Sequence, residues 1–488
     1  MKKNILLYFL AVIGLVISTS SCSDDVLDEI DTNPNDPDDV SISLLIPQVT
    51  VNVPTAVHGV DLAWYSSVFV RHTAGVHAQL QEADRRTDLE NPTLVNNVWN
   101  NIYAGVLPDL NYIIAKGSEG GSEEGSYISV GIAKILKAYT LSVATDAWGR
   151  VPYSQIGLGV ENRQPVFDPQ EEVYDQIFQL LNEAIADLDR GGPNPGSTDL
   201  IFNGNVTDWK RTAYSLLARY WLRLTNVNEN AAQNALDAAQ QGFQNLDDGF
   251  IFNSYENTAI GEHPWFQELN DRSHLAVSER FIETLDNLND PRLDAMVAPV
   301  PKIGEIVGAP NATLTNDQAN VAFSDVTSAV LNPTSPMPMM TYDELKFIEA
   351  EAYLRLGNMA EAFEAYQEGI RAAMTRQIGG SAFDDLGIDL TVAIDDYLDN
   401  PSLPQSPATL DLDDIIRQKW IAYFYFQPFE AYNDWRRTGL PEFITEHSIS
   451  APPLRFPYSL SERDANAINV PDVNIYTNGV WWDDGTED

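Results

Sequence analysis

Residues 340–374 read MTYDELKFIEAEAYLRLGNMAEAFEAYQEGIRAAM, the pattern of two antiparallel helices joined by a short turn. Small residues recur where the two helices would touch, aromatic residues where the space between them needs filling, and a glycine stands at the turn: Ala350, Tyr353, Gly357, Ala362, Tyr366 and Gly369. This layout is typical of a tetratricopeptide hairpin, and it is clearest over residues 341–375.

A hairpin of this kind cannot bury its apolar face alone, so other helix pairs should stack on it. Residues 127–189 and 212–246 are the candidates, although their spacing is degenerate. Helical periodicity predicts individual helices near 171–189, 208–227, 231–246, 276–288, 341–356, 359–377 and 411–427. We therefore predict an all-α, mainly helical fold, with minor β structure confined to long irregular loops.

Two segments complicate this pattern. Apolar residues after Asn91 recur at steps of three and four as far as Ile113, but Pro108 should kink or divide that helix. Residues 296–338 contain Pro, Gly and Asn at short intervals and read as a long loop. A loop of that length in a compact domain is usually functional.

The composition narrows the range of ligands. The 488 residues carry a formal net charge of −42 at pH 7, which excludes nucleic acid because a polyphosphate requires a basic surface. Acidic polysaccharides are disfavoured for the same reason, and neutral ligands remain. Scattered carboxylates are compatible with structural calcium, but the spacing of an EF-hand loop is absent. We expect no other cofactor and assign no metal ligands.

The amino terminus predicts export and a lipid anchor. Residues 1–21 contain Lys2 and Lys3 followed by a short apolar run that cannot span a bilayer. Cys22, the only cysteine, comes directly after this signal peptide, although Thr19 stands where a lipobox usually has Leu. Lipidation of Cys22 would attach the chain to a membrane. The alternative is an ordinary cleaved signal with an incidental cysteine.

Catalytic motifs are missing from the sequence. The six histidines form no pair at the three- or four-residue spacing of a helical metal site. Lipidation would occupy the only thiol, and no nucleophile elbow, P-loop or dinucleotide fingerprint is present. A pair of carboxylates that cleaves glycosidic bonds depends on spatial separation and stays open. We expect the protein not to be an enzyme.

Aromatic residues beside amides are better candidates for a binding site. Sugar rings stack their C–H faces on Trp and Tyr, and their hydroxyl groups need polar neighbours. Trp64 and Tyr65 begin a segment that continues to Gln79 and Gln81. We predict a ligand platform there.

A second aromatic pair, Trp265 and Phe266, lies in the sequence GEHPWFQELNDRSH. The same segment supplies Gln267, Asn270 and Arg272. Either pair fits a platform, and the alternative for all four aromatic residues is that they fill the core.

Three charged and aromatic clusters are better explained by structure than by ligands. Asp146 ends a helix, where the dipole disfavours a carboxylate, so we expect it to accept hydrogen bonds from backbone amides or an arginine. Arg436 and Arg437 stand among aromatic residues in an acidic chain and should be paired with acids. The segment RFPYSLSERDANAIN and the terminal VWWDD complete the set.

These clusters also carry a family resemblance. The segments DEIDTNPNDP, AKILKAYTLSVATDAWGRVPYSQ, DLIFNGNVTDWKRTAYSLLARYWLRL, NDPRLDAM, MTYDELKFIEAEAYLRLGN, QKWIAYFYFQPFEAYNDWRRTG and PLRFPY occur in this order. Together they closely resemble the SusD/RagB family of nutrient-binding outer-membrane lipoproteins, over essentially the whole chain. The resemblance implies one helical domain on tetratricopeptide-like hairpins, which we place at residues 41–488. Residues 22–40 are acidic, rich in turn formers and poor in apolar residues, and we interpret them as a tether between the lipid and this domain. The resemblance assigns no ligand-binding residues.

The resemblance also implies a function and a location. Members bind oligosaccharides, or in some cases peptides, and act as lids on a SusC-type TonB-dependent transporter. The acidic SDD after Cys22 resembles the surface-export signal of Bacteroidetes lipoproteins. We therefore expect a lipid-anchored, cell-surface glycan receptor in the outer membrane. A tetratricopeptide scaffold for protein assembly and a RagB-like peptide receptor are the alternatives.

Overall fold

The computed structural model describes residues 39–157, 162–314, 316, 320–380, 387, 389–445 and 451–487. Most of them lie in helices. The α-helices are α1 (Ile42–Asn52), α2 (Leu62–Phe69), α3 (Ala78–Asp84), α4 (Asn96–Asn100), α5 (Leu107–Gly117), α6 (Tyr127–Trp148), α7 (Gln170–Arg190), α8 (Val206–Arg223), α9 (Ala231–Ala239), α10 (Pro264–Gln267), α11 (Glu279–Asn287), α12 (Arg292–Met296), α13 (Tyr342–Arg355), α14 (Met359–Ile378), α15 (Leu390–Leu398), α16 (Leu412–Ala422), α17 (Pro428–Thr438), α18 (Leu460–Ala465) and α19 (Trp481–Asp484).

In the described part of the chain, short strands form three separate antiparallel pairs. The strands are β1 (Thr73–Gly75), β2 (Gly249–Phe252), β3 (Leu275–Val277), β4 (Val297–Ala298), β5 (Asp325–Val326) and β6 (Met337–Thr341). β1 pairs with β3, β2 with β6, and β4 with β5. The predicted all-α fold with minor β structure is confirmed.

The predicted hairpin at residues 340–374 is present as α13 and α14, which pack along each other. Thr341 caps α13 by accepting from the backbone N–H of Glu344. Gly357 adopts a φ of 80°, which glycine reaches without strain, between the two helices. The other candidate pairs also form packed neighbours, α6 with α7 and α8 with α9.

These pairs stack into a row. α7 contacts α8, α9 contacts α13, and both α13 and α14 contact α16. One continuous cluster of buried apolar side chains runs from Ile42 to Trp482. Each hairpin therefore buries its apolar face against the next, as the sequence pattern requires.

Helix α6 belongs to the first pair of this row. Its length and composition are sufficient to cross a membrane, but 89 % of its most apolar window is buried inside the fold. Neighbours on both sides, α5 and α7, cover it. α6 is therefore a core helix.

Several predicted helix boundaries need correction. The segment after Asn91 is not one helix but a 3₁₀ turn, α4, a π-helical segment at Asn101–Val106 and α5. Pro108 lies in the first turn of α5, where a missing N–H costs little. The helix predicted at 276–288 begins later, at Glu279, because Leu275–Val277 pair as strand β3.

Asp146, near the end of α6, accepts hydrogen bonds as predicted. Its carboxylate accepts hydrogen bonds from the hydroxyl of Tyr174 at 2.6 Å, from Nε1 of Trp482 at 2.8 Å and from Nη1 of Arg223 at 2.5 Å. Arg223 also contacts Glu430, and Arg219 bridges Glu344 at 2.6 Å. The charges in this cluster are buried and satisfy one another.

Arg436 and Arg437 differ in their hydrogen-bond partners. The prediction that both are paired with acids holds for Arg437 and is wrong for Arg436. Arg437 is paired with two acids: it contacts Glu351 and donates to Asp434 at 2.8 Å. Arg436 instead donates to backbone carbonyls, at 2.9 Å to Leu454 and 2.7 Å to Asp146, and contacts the side chain of Asn433. Both arginines are buried and hold structural elements together.

The signal peptide, Cys22 and the tether as far as residue 38 lie outside the described residues.

Candidate ligand-binding site

A cavity of about 260 Å³ lies where α2 meets the start of α3. We call it the Trp64 cavity. It is lined by Asp61, Trp64, Tyr65, Gln79, Leu80, Thr93, Leu94, Asn97 and Arg272.

Strand pairing brings Arg272 to this cavity from a distant part of the chain. β1 and β3 pair antiparallel, with Gly75 opposite Leu275. The pairing continues beyond the strands, because the N–H of Val76 donates to the carbonyl of His274 at 2.8 Å. The rings of His77 and His274 stack with their centroids 5.2 Å apart. The segments that follow β1 and precede β3 therefore meet at one edge.

The turn between β1 and α3 places Gln79, the second residue of α3, at the cavity. A Cβ at Gly75 would lie 1.9 Å from the carbonyl oxygen of Leu80, so only glycine fits there. Ala78 adopts a φ of 47°, a conformation that residues other than glycine seldom adopt. Such local strain is often found at functional sites.

Aromatic and aliphatic side chains form the cavity walls. Trp64 is half-buried, and its indole Nε1 is buried without a hydrogen-bond partner among the described residues. Tyr65 is buried beside it, and Leu80 and Leu94 add apolar surface. Burial, helped by the nearby Asp61 carboxylate, raises the pKa of Tyr65 well above its ordinary value. Its hydroxyl therefore stays protonated and can donate.

Charges at the cavity nearly balance. Asp61 is buried and accepts from the N–H of Val98 at 3.3 Å, and Arg272 is exposed. Burial raises the pKa of Asp61 to about 6, although the Val98 N–H and the charge of Arg272 oppose this rise. One acid and one arginine thus line a cavity in a strongly acidic chain, which suits an uncharged ligand.

Polar groups at the cavity remain available for binding. The side-chain amides of Gln79 and Asn97 make no hydrogen bonds with other described residues, and Asn97 is exposed. A ligand with several hydroxyl groups would find donors and acceptors here beside an indole. This is the combination of an aromatic platform and amides that sugar recognition requires.

Three of the six predicted binding residues line this cavity, namely Trp64, Tyr65 and Gln79. Gln81 does not, which corrects the prediction. It is buried, and its amide donates to the carbonyls of Val76 at 3.2 Å and Asn316 at 2.7 Å. Gln81 therefore fastens the 296–338 loop to α3 instead of contacting a ligand.

Trp265 is also not a platform. Its side chain is fully buried and packs on Tyr425 with ring centroids 4.6 Å apart. Pro264 begins the short helix α10, and His263 caps it through Nδ1, which accepts from the N–H of Trp265. This helix turns Trp265 towards the core. Phe266 is half-buried against the same core and does not line the Trp64 cavity.

Sequence reasoning missed Asp61, Thr93 and Asn97. Asp61 directly precedes α2 and lies only three residues before Trp64. A carboxylate at the start of an apolar helix could have been predicted to lie near Trp64. Thr93 and Asn97 follow Asn91, whose side chain accepts from the N–H of Thr93 at 3.1 Å. Their place at the cavity depends on how this segment packs, which the local sequence does not indicate.

Among the described residues, no group of three or more His, Cys, Asp or Glu side chains is arranged to hold a metal ion.

Comparison with known proteins identifies the family. A SusD-like family model, described as starch-binding and associating with the outer membrane, matches residues 34–459. A search of curated proteins found no significant match.

Solved structures share the fold. A SusD/RagB family protein from Bacteroides thetaiotaomicron is 27 % identical, with a TM-score of 0.81 over 92 % of this chain and 100 % of that chain. A SusD homologue from Bacteroides fragilis is 22 % identical, with a TM-score of 0.75 over 91 % and 99 %. A chitin-binding SusD homologue from Flavobacterium johnsoniae is 22 % identical, with a TM-score of 0.72 over 91 % and 99 %.

The family model covers residues 34–459, which is most of the chain, so this protein belongs to the SusD-like family.

Proposed function

We propose that this protein is a glycan receptor that captures a neutral oligosaccharide in the Trp64 cavity. The observation that carries the proposal is the half-buried Trp64 beside the unengaged amides of Gln79 and Asn97. The indole offers a stacking surface, and the amides offer hydrogen bonds to sugar hydroxyl groups. The near balance of charge favours a neutral sugar over an acidic one.

The family and its members support a glycan over other ligands. The family description names starch, and two of the similar structures are called chitin-binding, at 24 % and 22 % identity. Starch is a polymer of glucose and chitin a polymer of N-acetylglucosamine, and both are uncharged. Both classes are therefore the first probes to try, and we propose that the protein binds without catalysing a reaction.

We further propose that Cys22 is lipidated and anchors the protein on the outer surface of the outer membrane. The signal peptide pattern and the family description support this location. A SusC-type TonB-dependent transporter would then receive the bound oligosaccharide. Co-purification of such a barrel with the full-length protein from membranes would test this partnership.

Calorimetric titration tests the binding proposal. We expect saturable binding of maltoheptaose or chitohexaose, and much weaker binding of polygalacturonate, because that polymer is acidic. Gln79→Ala and Asn97→Ala should each weaken binding by about 2- to 10-fold through a lost hydrogen bond. Gln233→Ala, an exposed residue of α9, is the matched control and should bind as the native protein does.

Two results would contradict the proposal. Absence of binding to a broad panel of neutral glycans would exclude a glycan receptor. Saturable binding of peptides in the same assay, weakened by the same two substitutions, would instead support the alternative of a peptide receptor.

A further inference from the structure

A second cavity lies on a different part of the fold, beside the β2–β6 pair. It has a volume of about 200 Å³, and we call it the Phe424 cavity. Its inner wall is formed by buried side chains, among them Met296, Pro338 and Phe424. Pro336 and Asn253 are exposed at its rim. The cavity therefore opens to solvent and extends towards the core.

An irregularity in the sheet lies at this cavity. Phe250 pairs with Met340, but Ile251 pairs with Pro338, so Met339 is an extra residue in β6. Such a bulge bends the strand locally, and proline is tolerated in strands at such places. Ile251 and Pro338 both line the cavity.

The cavity is mostly apolar, and its size suits one ring. An engineered apolar cavity of ~150 Å³ in another protein binds benzene. The Phe424 cavity is slightly larger and has the rings of Phe424 and Phe426 in its wall, against which an aromatic ligand can pack. A single aromatic ring with a short substituent would fill it.

Arg376 supplies the polar contact. Its Nε and Nη2 donate to Asp343 at 2.8 Å each, and Nη2 also donates to the carbonyl of Ala422 at 2.9 Å. Nη1 has no partner among the described residues. Arg376 lines the cavity, so this nitrogen is available to a ligand acceptor.

The local charge selects for a neutral ligand. Among the described residues, Arg376 is the only charged side chain that lines the cavity, and Asp343 already neutralises it. A ligand carboxylate would therefore meet no net positive charge in a chain of net charge −42. An uncharged acceptor such as an ester carbonyl would accept from Nη1 without this penalty.

We propose that the Phe424 cavity binds a neutral small molecule made of one aromatic ring and a carbonyl acceptor, with the ring against Phe424 and Phe426 and the carbonyl on Arg376. This site is separate from the Trp64 cavity, with which it shares no lining residue. The proposal does not depend on glycan capture and would stand even if the protein bound no glycan.

Calorimetry or ligand-observed NMR with benzyl acetate tests the proposal. Val330→Trp should fill the cavity, since Val330 lies half-buried in its wall, and should weaken binding at least about tenfold. Val392→Trp, at an exposed valine of α15, is the matched control and should bind like the native protein. Equal binding by both variants would overturn the proposal, as would no binding by the native protein.

Two further comparisons test the polar contact. Arg376→Lys keeps the charge beside Asp343 but loses the guanidinium fork, so it should weaken benzyl acetate about 2- to 10-fold and leave ethylbenzene unchanged. In the native protein, phenylacetate should bind more weakly than benzyl acetate, a comparison that does not depend on the variant folding. Tighter binding of phenylacetate would overturn the assignment of a neutral ligand.

Discussion

Arg437 donates to two buried carboxylates, and its neighbour Arg436 donates mainly to the backbone. Burial raises the pKa of Asp434, but Lys419 and Arg437 outweigh this effect and hold it well below its ordinary value. Glu351 is likewise kept ionised by Arg437 against the effect of its burial. Removing Arg437 would leave Glu351 without its main partner and Asp434 with Lys419, which lies 2.8 Å from its carboxylate.

We therefore predict that Arg437→Ala lowers the free energy of unfolding by ~3–5 kcal/mol, because it removes the main partner of the buried Glu351 carboxylate and one of the two partners of Asp434. Arg436→Ala should lower the free energy of unfolding by less, about 1–3 kcal/mol, because it leaves two backbone carbonyl groups without their donor but no acid without a partner. Thermal or denaturant unfolding measures both changes. Glycan affinity should be unaffected.

Arg371→Ala provides the control for these substitutions. Arg371 pairs with Asp395 on the surface, with both side chains about half exposed, so its loss should change stability by less than ~0.5 kcal/mol. Normal unfolding with abolished binding in Arg437→Ala would show that a ligand site had been mistaken for a structural pair.

Individual residues were predictable to different degrees. Trp64 and Trp265 have similar local sequence, an aromatic pair followed by amides, yet one lines a cavity and the other is buried against Tyr425. The difference comes from Pro264 and the short helix α10, which turn Trp265 inward. Local composition contains no information about which side of a helix the rest of the fold will cover.

At the scale of elements, regular helices were predicted well because their apolar residues recur with a period of 3.6. The predicted segments 171–189 and 359–377 match Gln170–Arg190 and Met359–Ile378 closely. The segment from Pro92 to Gly117 was predicted poorly, because its π-helical part shifts the helical register and no sequence pattern indicates this shift. Residues 296–338 were predicted to form an irregular loop. Strand β5 lies within this segment, and several residues that line the Phe424 cavity come from it.

The contact between α13 and α14 yields a prediction at this scale. A Cβ added at Gly369 would lie 2.8 Å from the ring of Phe347, which is fully buried. Gly369→Ala should therefore separate the two helices and lower the free energy of unfolding by about 1–3 kcal/mol. Denaturant unfolding measures this change.

Gly105→Ala is the matched control for Gly369→Ala. It lies in a helical segment, and an added Cβ would meet nothing within 4 Å. It should be neutral or stabilising by up to ~1 kcal/mol, since alanine favours helices over glycine. Equal effects of the two substitutions would show that close helix packing does not explain Gly369.

At the scale of the whole molecule, buried acids predict how stability depends on pH. Burial raises the pKa of Glu268 to about 7, and the nearby Asp325 carboxylate contributes to the rise. Burial also raises the pKa of Asp325 to about 7. Between about pH 4 and 7 the folded protein thus holds protons that the unfolded chain has released, so these two acids should lower stability as pH rises through that range and cause little further change above it.

Glu268→Gln tests this pH dependence, because it removes a buried charge and keeps the shape. At pH 8 it should raise the free energy of unfolding by roughly 1–3 kcal/mol, and the gain should shrink as pH falls below about 6.5. Burial lowers the pKa of His58 to about 4, so this histidine opposes the acids between about pH 4 and 6.5, and comparing the two forms at each pH isolates the contribution of Glu268. A gain from Glu268→Gln that is as large at about pH 5 as at pH 8 would contradict the assignment.

The membrane anchor is also a property of the whole molecule. We predict that Cys22→Ala releases the protein from membranes, because it removes the residue that carries every acyl chain. Folding should be unchanged, since Cys22 precedes the first described helix by about twenty residues. Fractionation of cells that express either form measures this, and unchanged attachment would exclude lipidation at Cys22.

The location of the Trp64 cavity could be predicted only in part. The segment that contains Trp64, Tyr65 and Gln79 was identifiable because aromatic residues and amides occur together. Arg272 reaches the cavity through the pairing of β1 with β3, two three-residue strands some 200 residues apart in the chain. Strands this short have no clear sequence pattern, so their partners become visible only in the folded structure.

Trp64→Ala, measured by glycan titration and thermal unfolding together, tests the central claim of glycan capture most directly. Using maltoheptaose or chitohexaose, whichever the native protein binds more tightly, we expect a loss of about 1–3 kcal/mol of binding free energy with a small change in Tm. Trp265→Ala, the matched comparison, should keep its affinity and lose ~3–5 kcal/mol of stability through a core cavity. Native-like glycan affinity in folded Trp64→Ala would contradict the account.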